Sequence, residues 1–240
     1  MNDILVLAII IISSYLIGSL SMARIVTKIV APEVDLEDTQ FDVEGAESYQ
    51  LRTISSTTAS LKLGPKVGGP IALLDALKGV IPVLVIRYLF PDQYYHLVAA
   101  VFAVVGHNWS IYHRFTGGGG LSTAYGAFFA IDFFGTLISA FSGMIIGFTV
   151  FKDMMIAFTS GPFIMLIWLA IFKRDWPHII FGIAINVVII LKLIPDIVKV
   201  MKNKDQEVDI SIIMERTGMG RMMKKIMQLI GIDPDKQKTK

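Results

Sequence analysis

The chain has 240 residues, 54% hydrophobic and 18% charged, with a formal net charge of +2 and a mean hydropathy of +0.63. Soluble domains carry about 25% charged residues, so long apolar runs here point to a bilayer. A soluble globular, disordered or collagen-like chain is excluded. No Cys is present, which removes disulfides, thiolate metal sites and cysteine nucleophiles and leaves the redox compartment unread.

The charges are segregated. From Lys192 to the end stand 11 of the 22 Lys/Arg and only 7 of the 20 Asp/Glu. The stretch Glu33–Glu47 carries Glu33, Asp35, Glu37, Asp38, Asp42, Glu44 and Glu47 and no Lys or Arg. This predicts an apolar body, an acidic loop and a basic tail.

In chain order, Ile4–Met22 is long enough to cross a hydrocarbon core of about 30 Å. Ser21-Met22-Ala23 would suit a signal peptidase, but a signal peptide begins with a basic segment, and Met1-Asn2-Asp3 is acidic; a retained helix is expected. Residues 31–69 are polar, with Gly64-Pro65 and Gly68-Gly69-Pro70 as punctuation, and read as a loop domain. Ile71–Phe90 is the second span, Pro91-Asp92 a turn, and His96–Tyr112 the third span, with Tyr94 and Tyr95 fitting an aromatic belt. Leu121–Phe151 is too long for one untilted helix, so two helices hinged near Asp132–Gly135 are expected. Met154–Phe172 and His178–Leu193 complete the set, joined by a turn at 173–177.

The expected fold is an all-α integral membrane protein, a bundle of about seven transmembrane helices with short cytoplasmic loops. Residues 1–200 form the membrane domain, and 201–240 a basic cytoplasmic tail. Seven spans put the termini on opposite sides. A Lys/Arg-rich tail belongs in the cytoplasm, so the N-terminus is outside and loop 28–69 is cytoplasmic; Lys173 and Arg174 then fall outside. In the tail, Met219–Ile230 forms a helix with Met219, Met222, Met223, Ile226, Leu229 and Ile230 on one face and Arg221, Lys224 and Lys225 on the other. Such a helix is drawn to anionic membrane lipids.

Three places could carry chemistry. The segment FTGGGGLSTAYG, residues 115–126, holds Gly117, Gly118, Gly119 and Gly120, which permit positive φ and close backbone approach. A helix starting at Leu121 or Ser122 would aim its free amides into that turn, an anion site with Ser122 and Thr123 adding hydroxyls; a flexible turn or a packing surface is the plainer reading. In LLDALKG, residues 73–79, Asp75 and Lys78 stand i and i+3 on one helix face, inside a span, where ionisable residues are costly and point to function. A structural ion pair, or a lysine reaching for the interface, is the alternative. His107 lies just before an interface, where it could act as acid, base or phosphate partner. His107 and His113, six apart, do not share a helix face, so no metal site is expected. No Walker loop, dinucleotide fingerprint, HExxH or GxSxG is present, nothing supports nucleic acid binding, and no cofactor is implied.

In order along residues 13–200, these pieces resemble one family, the bacterial membrane glycerol-3-phosphate acyltransferases that use acyl phosphate as donor. YLIGSLSMARIV resembles the family's first-helix end, LLDALKGVIPV its LLDxLKGxxPV, and VVGHNWSIYHRFTGGGGLSTAYG its GHxxPxFxxFxGGKGxATxxG. The resemblance implies acyl transfer from acyl phosphate to glycerol 3-phosphate in phospholipid synthesis at the cell membrane. It implies Asp75, Lys78 and His107 as catalytic residues, and Gly117–Gly120, Ser122, Thr123, Thr57 and Lys62 as phosphate-binding residues. The chain departs from the pattern at Gly119, where the family has Lys, at Thr116, at Ser110 for Pro, and at Thr58 for Asn. No Arg matches the family's unless Lys62 substitutes, and the motif HRxNI after the last helix is replaced by a segment such as IPDIVKVMKNK. The alternative reading is therefore a degenerate member that binds lipid or scaffolds a membrane partner. The two are separated by whether Lys66, Lys78, Arg52 or Arg114 refills the positive site.

Overall fold

The computed structural model describes residues 3–37, 40–41, 49–50, 53–151 and 154–202. The expected tail helix 219–230, Arg52 and most of the acidic stretch lie outside the described residues. The chain divides into two compact units, Met1–Ser21 with Leu73–Ile197, and Met22–Ala72 with Val198–Lys240.

The first unit contains α1 (Asp3–Ser19), most of α4 (Pro65–Leu89), α5 (Tyr95–Asn108), α6 (Leu121–Ile131), α7 (Phe133–Ile146), α8 (Met154–Phe172) and most of α9 (Trp176–Lys202). The second contains α2 (Met22–Val30), α3 (Ser56–Leu63) and a two-residue antiparallel pair, β1 (Gln40–Phe41) with β2 (Tyr49–Gln50), in register Gln40 to Gln50. Among the described residues the regular structure is all-helical apart from that pair. Asp3–Val30, Pro65–Leu89, Phe133–Phe151 and Trp176–Pro195 are long and apolar enough to cross a membrane; Leu121–Ile131 and Ile156–Phe172 are shorter apolar helices.

Apolar residues cannot drive helices together in lipid as they do in water, so close packing must. The helices touch through small residues. A Cβ on Gly18 would strike the Ala103 carbonyl and one on Gly106 the Tyr15 carbonyl, which sets α1 directly against α5. Gly79 meets the Thr123 carbonyl and Gly126 the Ala76 carbonyl, joining α4 to α6; Gly147 meets Ala157, joining the end of α7 to α8. Between them Val83, Val104, Phe128, Met165, Leu169, Ile185 and Ile189 form the dry core. Large apolar side chains such as Leu84, Phe134, Ile145, Ile167 and Ile183 face outward, as a lipid-exposed surface requires.

Among the described residues, the seven helices of the first unit run alternately between two ends. At one end Arg87 donates to the Ala130 carbonyl (3.4 Å), Lys173 pairs with Asp132 (3.2 Å), and the Tyr94 ring meets His178. At the other end the last residues of α1, Asp75 of α4 and His107 near the end of α5 converge on Lys78.

The hinge between α6 and α7 falls at Asp132, whose carboxylate caps α7 by accepting from the Gly135 amide (2.8 Å). Several boundaries differ from expectation: α1 ends at Ser19 rather than Met22, and α9 runs from Trp176 to Lys202 rather than from His178 to Leu193. α4 begins at Pro65 rather than Ile71: Gly64, at φ 83, ends α3, and Pro65 takes the first helical position, where its missing N–H costs nothing. α5 stops at Asn108 rather than Tyr112 and gives way to a short 3-10 turn, Ile111–His113. The region expected to be loop therefore contains α3 and the first turns of α4. Within this second unit, Ala23, Leu36, Ile54, Ala59 and Ile71 form a small core.

Candidate functional site

The centre of the first unit's polar end is Lys78, on α4. It is 3% exposed, and a buried ammonium demands acceptors on every hydrogen. Nζ lies 2.9 Å from Asp75 Oδ1, one turn earlier. It also donates to the carbonyls of Gly18 (3.1 Å) and Leu20 (2.5 Å), where α1 runs out and frees its last carbonyls. His107 Nδ1, from α5, completes the set at 3.0 Å from Nζ and 3.5 Å from Asp75 Oδ1. Asp75, Lys78 and His107, three residues expected to carry chemistry, thus form one cluster. All are at most 8% exposed.

The glycine turn closes over this cluster. The Gly118 amide donates to the His107 carbonyl (3.1 Å). A Cβ on Gly117 would hit that same carbonyl, one on Gly118 would hit His107 Nε2, and one on Gly120 would hit Asn108 Oδ1. The run is glycine chiefly because backbone lies against backbone and imidazole. Only Gly120 needs positive φ, at 80°; Gly119 has open space around its Cβ position. Just upstream, Arg114 (φ 50) and Phe115 (φ 60) hold left-handed conformations that non-glycine residues seldom adopt.

α6 begins at Leu121, with Gly120 as its cap. Its first bond runs from the Ala124 amide to the Gly120 carbonyl (2.8 Å), which leaves the amides of residues 121–123 without a carbonyl of their own helix. Those amides and the helix dipole favour an anion at the turn. Thr123, expected to offer its hydroxyl to phosphate, instead donates to the Asp75 carbonyl (2.9 Å) and is fully buried. It ties α6 to α4 and so fixes the turn relative to the cluster. Ser122 is half-buried at the helix start.

Two residues of this site were not anticipated. Lys192, on α9, donates to the Asn108 carbonyl (2.8 Å) and sits 5.9 Å from the centroid of the Trp109 ring, bringing a cation to the strip of chain that supports the glycine turn. Asn108 is wholly buried, with Nδ2 reaching the Val188 carbonyl (3.5 Å) and Oδ1 lacking a partner beside Gly120. A lysine inside the last apolar stretch is the same signal that singled out Lys78. Ser110, at the family's proline position, donates to the Ser19 carbonyl (2.6 Å).

Thr57 and Lys62 belong to the second unit. Thr57 is exposed in the first turn of α3, whereas its neighbour Thr58 is buried and donates to the Thr53 carbonyl (2.6 Å). Lys62 donates to the Asp35 carbonyl. Among the described residues, no group of three or more His, Cys, Asp or Glu side chains could hold a metal ion.

A buried carboxylate–lysine–histidine cluster roofed by a glycine turn stands at one end of a lipid-facing helical bundle, and the fold is that of an integral membrane protein. A family model described as glycerol-3-phosphate acyltransferase matches residues 8–203, and the chain belongs to that family. A glycerol-3-phosphate acyltransferase of Pelagibacter ubique is 31% identical over 196 residues, which is 81% of this chain and 93% of that protein. The namesake from Halalkalibacterium halodurans is 38% identical over 118 residues, 48% of this chain, and that from Pseudothermotoga lettingae 37% over 78 residues, 32% of this chain. The chain spans 52% and 39% of the length of these last two curated relatives. In fold, the chain is similar to the crystal structure of PlsY (YgiH), an integral membrane glycerol 3-phosphate acyltransferase, in its glycerol 3-phosphate form. The TM-score is 0.70 at 23% identity, covering 85% of this chain and 96% of that one.

Proposed function

We propose that this chain transfers an acyl group from acyl phosphate to glycerol 3-phosphate, forming 1-acyl-glycerol 3-phosphate for phospholipid synthesis. The observation that carries the reading is the packing of Gly117–Gly120 and the start of α6 against the buried Asp75–Lys78–His107 cluster. Family membership and the relatives' shared name support the acceptor. The donor is argued from chemistry, since an acyl phosphate is already activated and calls for no covalent enzyme intermediate.

In the reaction, the acceptor hydroxyl oxygen attacks the carbonyl carbon. A carbon–oxygen ester bond forms, and the bond from that carbon to the phosphate oxygen breaks. The departing phosphate carries off the electron pair and takes the hydroxyl proton. The protein's part is to place the hydroxyl against the carbonyl and to stabilise the oxyanion and two phosphates with amides and cations. The amides of the glycine turn and of residues 121–123, the Ser122 hydroxyl and the Lys192 charge serve that role, with Lys78 and Asp75 holding His107 beneath the turn. Thr123 holds the turn in place through its bond to the Asp75 carbonyl.

The setting is the plasma membrane, crossed several times, with the N-terminus outside and the site end and tail cytoplasmic. Each Lys or Arg of the tail adds about 1 kcal/mol of attraction to anionic lipid near the surface. A second reading, lipid binding or scaffolding without turnover, is favoured by one observation: Gly119, where the family pattern has Lys, is bordered by open space. Purified protein given acyl phosphate and glycerol 3-phosphate decides between them. Acylated product well above background supports the enzyme, and folded protein without product supports the scaffold.

A further inference from the structure

Resting on the anion-site reading above, we propose that Lys78 locks His107 as the neutral tautomer protonated at Nε2. His107 then serves the site as a hydrogen-bond donor to a phosphoryl oxygen and not as a proton acceptor.

An ammonium group offers three hydrogens and no acceptor. Lys78 Nζ is met by the Gly18 carbonyl, the Leu20 carbonyl, Asp75 Oδ1 and His107 Nδ1, at 3.1, 2.5, 2.9 and 3.0 Å. An N–H at Nδ1 would point at that ammonium and be repelled, so Nδ1 presents its lone pair. The alternative, donation from Nδ1 to Asp75, would span 3.5 Å, at the outer limit of a hydrogen bond. Charge balance agrees. The Asp75 carboxylate and the Lys78 ammonium already cancel, and an imidazolium would add an uncompensated charge to a nearly dry pocket.

A neutral imidazole carries one N–H. With Nδ1 an acceptor, that hydrogen is on Nε2. Nε2 lies against Gly118, where an added Cβ would collide with it. Among the described residues no hydrogen bond engages Nε2, and the residue is only 8% exposed. Nε2 is not one of the fully enclosed atoms, so a ligand oxygen can reach this unused donor. Gly118, against which Nε2 lies, is followed three residues on by the amides of 121–123 at the start of α6, which have no acceptor within their own helix. A phosphoryl group, with several oxygens, fits donors converging from two sides. It can belong to the acyl donor or to the phosphate monoester. Lys78 is then a positioning residue: it acts by setting which nitrogen of His107 holds the proton.

The test uses full-length protein in lipid nanodiscs, 15N-labelled at its four histidines, with His107 assigned by its loss in His107→Gln. Long-range proton–nitrogen correlation at pH 7 should show a bare Nδ1 and a protonated Nε2. Adding inorganic phosphate should move Nε2 more than Nδ1. An Nδ1-protonated ring or an imidazolium overturns the proposal. In Lys78→Met, Nδ1 loses its donor and should invert to donate toward Asp75; an unchanged tautomer refutes the lock. The wild-type spectrum stands on its own if that variant does not fold. Glutamine can place an amide N–H near the Nε2 position, so His107→Gln should keep phosphate affinity within about threefold, while His107→Asn should lose about tenfold. Equal losses in both also count against the proposal. Glycerol 3-phosphate and a non-hydrolysable acyl phosphonate, titrated separately, show which substrate supplies the oxygen. Phosphate binding that leaves His107 unmoved sinks the donor role and spares the anion site. No binding of any of the three sinks the anion site itself.

Discussion

Adjacent glycines in the turn do different work, and substitution separates them. At Gly118 a methyl group would enter the space of the His107 ring. Overpacking of this kind costs about 1–3 kcal/mol, and here it falls on a site residue. Gly118→Ala should therefore lose about tenfold or more in acyl transfer, with a smaller change in thermal unfolding. Gly119 has neither a neighbour in the way nor a positive φ, so Gly119→Ala should match the parent in both measurements. Equal losses at the two positions would mean that the run serves only as a flexible turn. The same openness bears on the lysine that the family keeps here. With no backbone strain to offset it, Gly119→Lys gains a charge-assisted contact to phosphate. Such contacts contribute about 1.5–3 kcal/mol when water is excluded. Gly119 is half-buried, which trims the gain to about threefold to tenfold in affinity for glycerol 3-phosphate, clearest at low salt. Residues acting as a unit are not additive, so the gain should grow when Lys192 is kept and shrink in Lys192→Met.

At the scale of elements, the contact of α4 with α6 aligns the cluster with the turn. Gly79 and Gly126 allow the two helices to touch backbone to backbone, and the Thr123 hydroxyl bonds the Asp75 carbonyl across the seam. Gly126→Val forces the helices apart and should destabilise the fold by at least about 1–3 kcal/mol, read as a lower unfolding temperature in detergent together with lost activity. An unchanged temperature would show that the contact is loose. The opposite end of the bundle should respond to acid. Burial alone would raise the Asp175 carboxyl, but hydrogen bonds from the His178 amide and ring and the nearby Lys173 charge outweigh it and hold it below the ordinary carboxylate value. A lowered carboxyl contributes stability that is present above its unfolded value, about 3.9, and is lost as pH falls through the lowered folded value. Protection of the amides around 175–178, taken relative to the intrinsic exchange rate at each pH, should therefore fall as the pH drops below about 4. Much of this layout was legible in the sequence because it follows from local rules. Residues 121–151 were too long for one crossing, and the break falls at Asp132, a good capping residue. Asp75 and Lys78 are one turn apart and pair. The start of α4 was misread because Gly-Pro signals a turn, yet here it ends one helix and opens the next. His107 meeting Lys78, and Lys192 meeting the Asn108 carbonyl 84 residues away, depend on how α1, α4, α5 and α9 cross, and no periodicity reports that.

For the whole molecule, alternation of the seven helices makes sidedness testable. The carbonyls of Gly18 and Leu20, at the end of α1, lie at Lys78 and mark the site end. A cytoplasmic site is needed if its substrates are soluble phosphates made in the cell. The opposite turn at 173–175 then faces outward, carrying Lys173 and Arg174 against the usual bias of positive charge toward the cytoplasm. Lys173 pairs with Asp132 at 3.2 Å, but carboxylates weigh little in that bias, so Asp132→Asn should insert with the parent's sidedness. The chain has no Cys, so single cysteines report sidedness cleanly. In the parent background, cysteine at Asp92, exposed at the outer end, should react with a membrane-impermeant maleimide on intact cells. Cysteine at Arg114, exposed beside the glycine turn, and at Ser48 in the loop 28–69 should react only after the membrane is opened. Labelling of Ser48→Cys from outside would invert the assignment and place the site away from the cytoplasm. Labelling of Asp92→Cys and Arg114→Cys from the same side would mean that α5 does not cross, and the alternation of helices would not be a set of membrane spans.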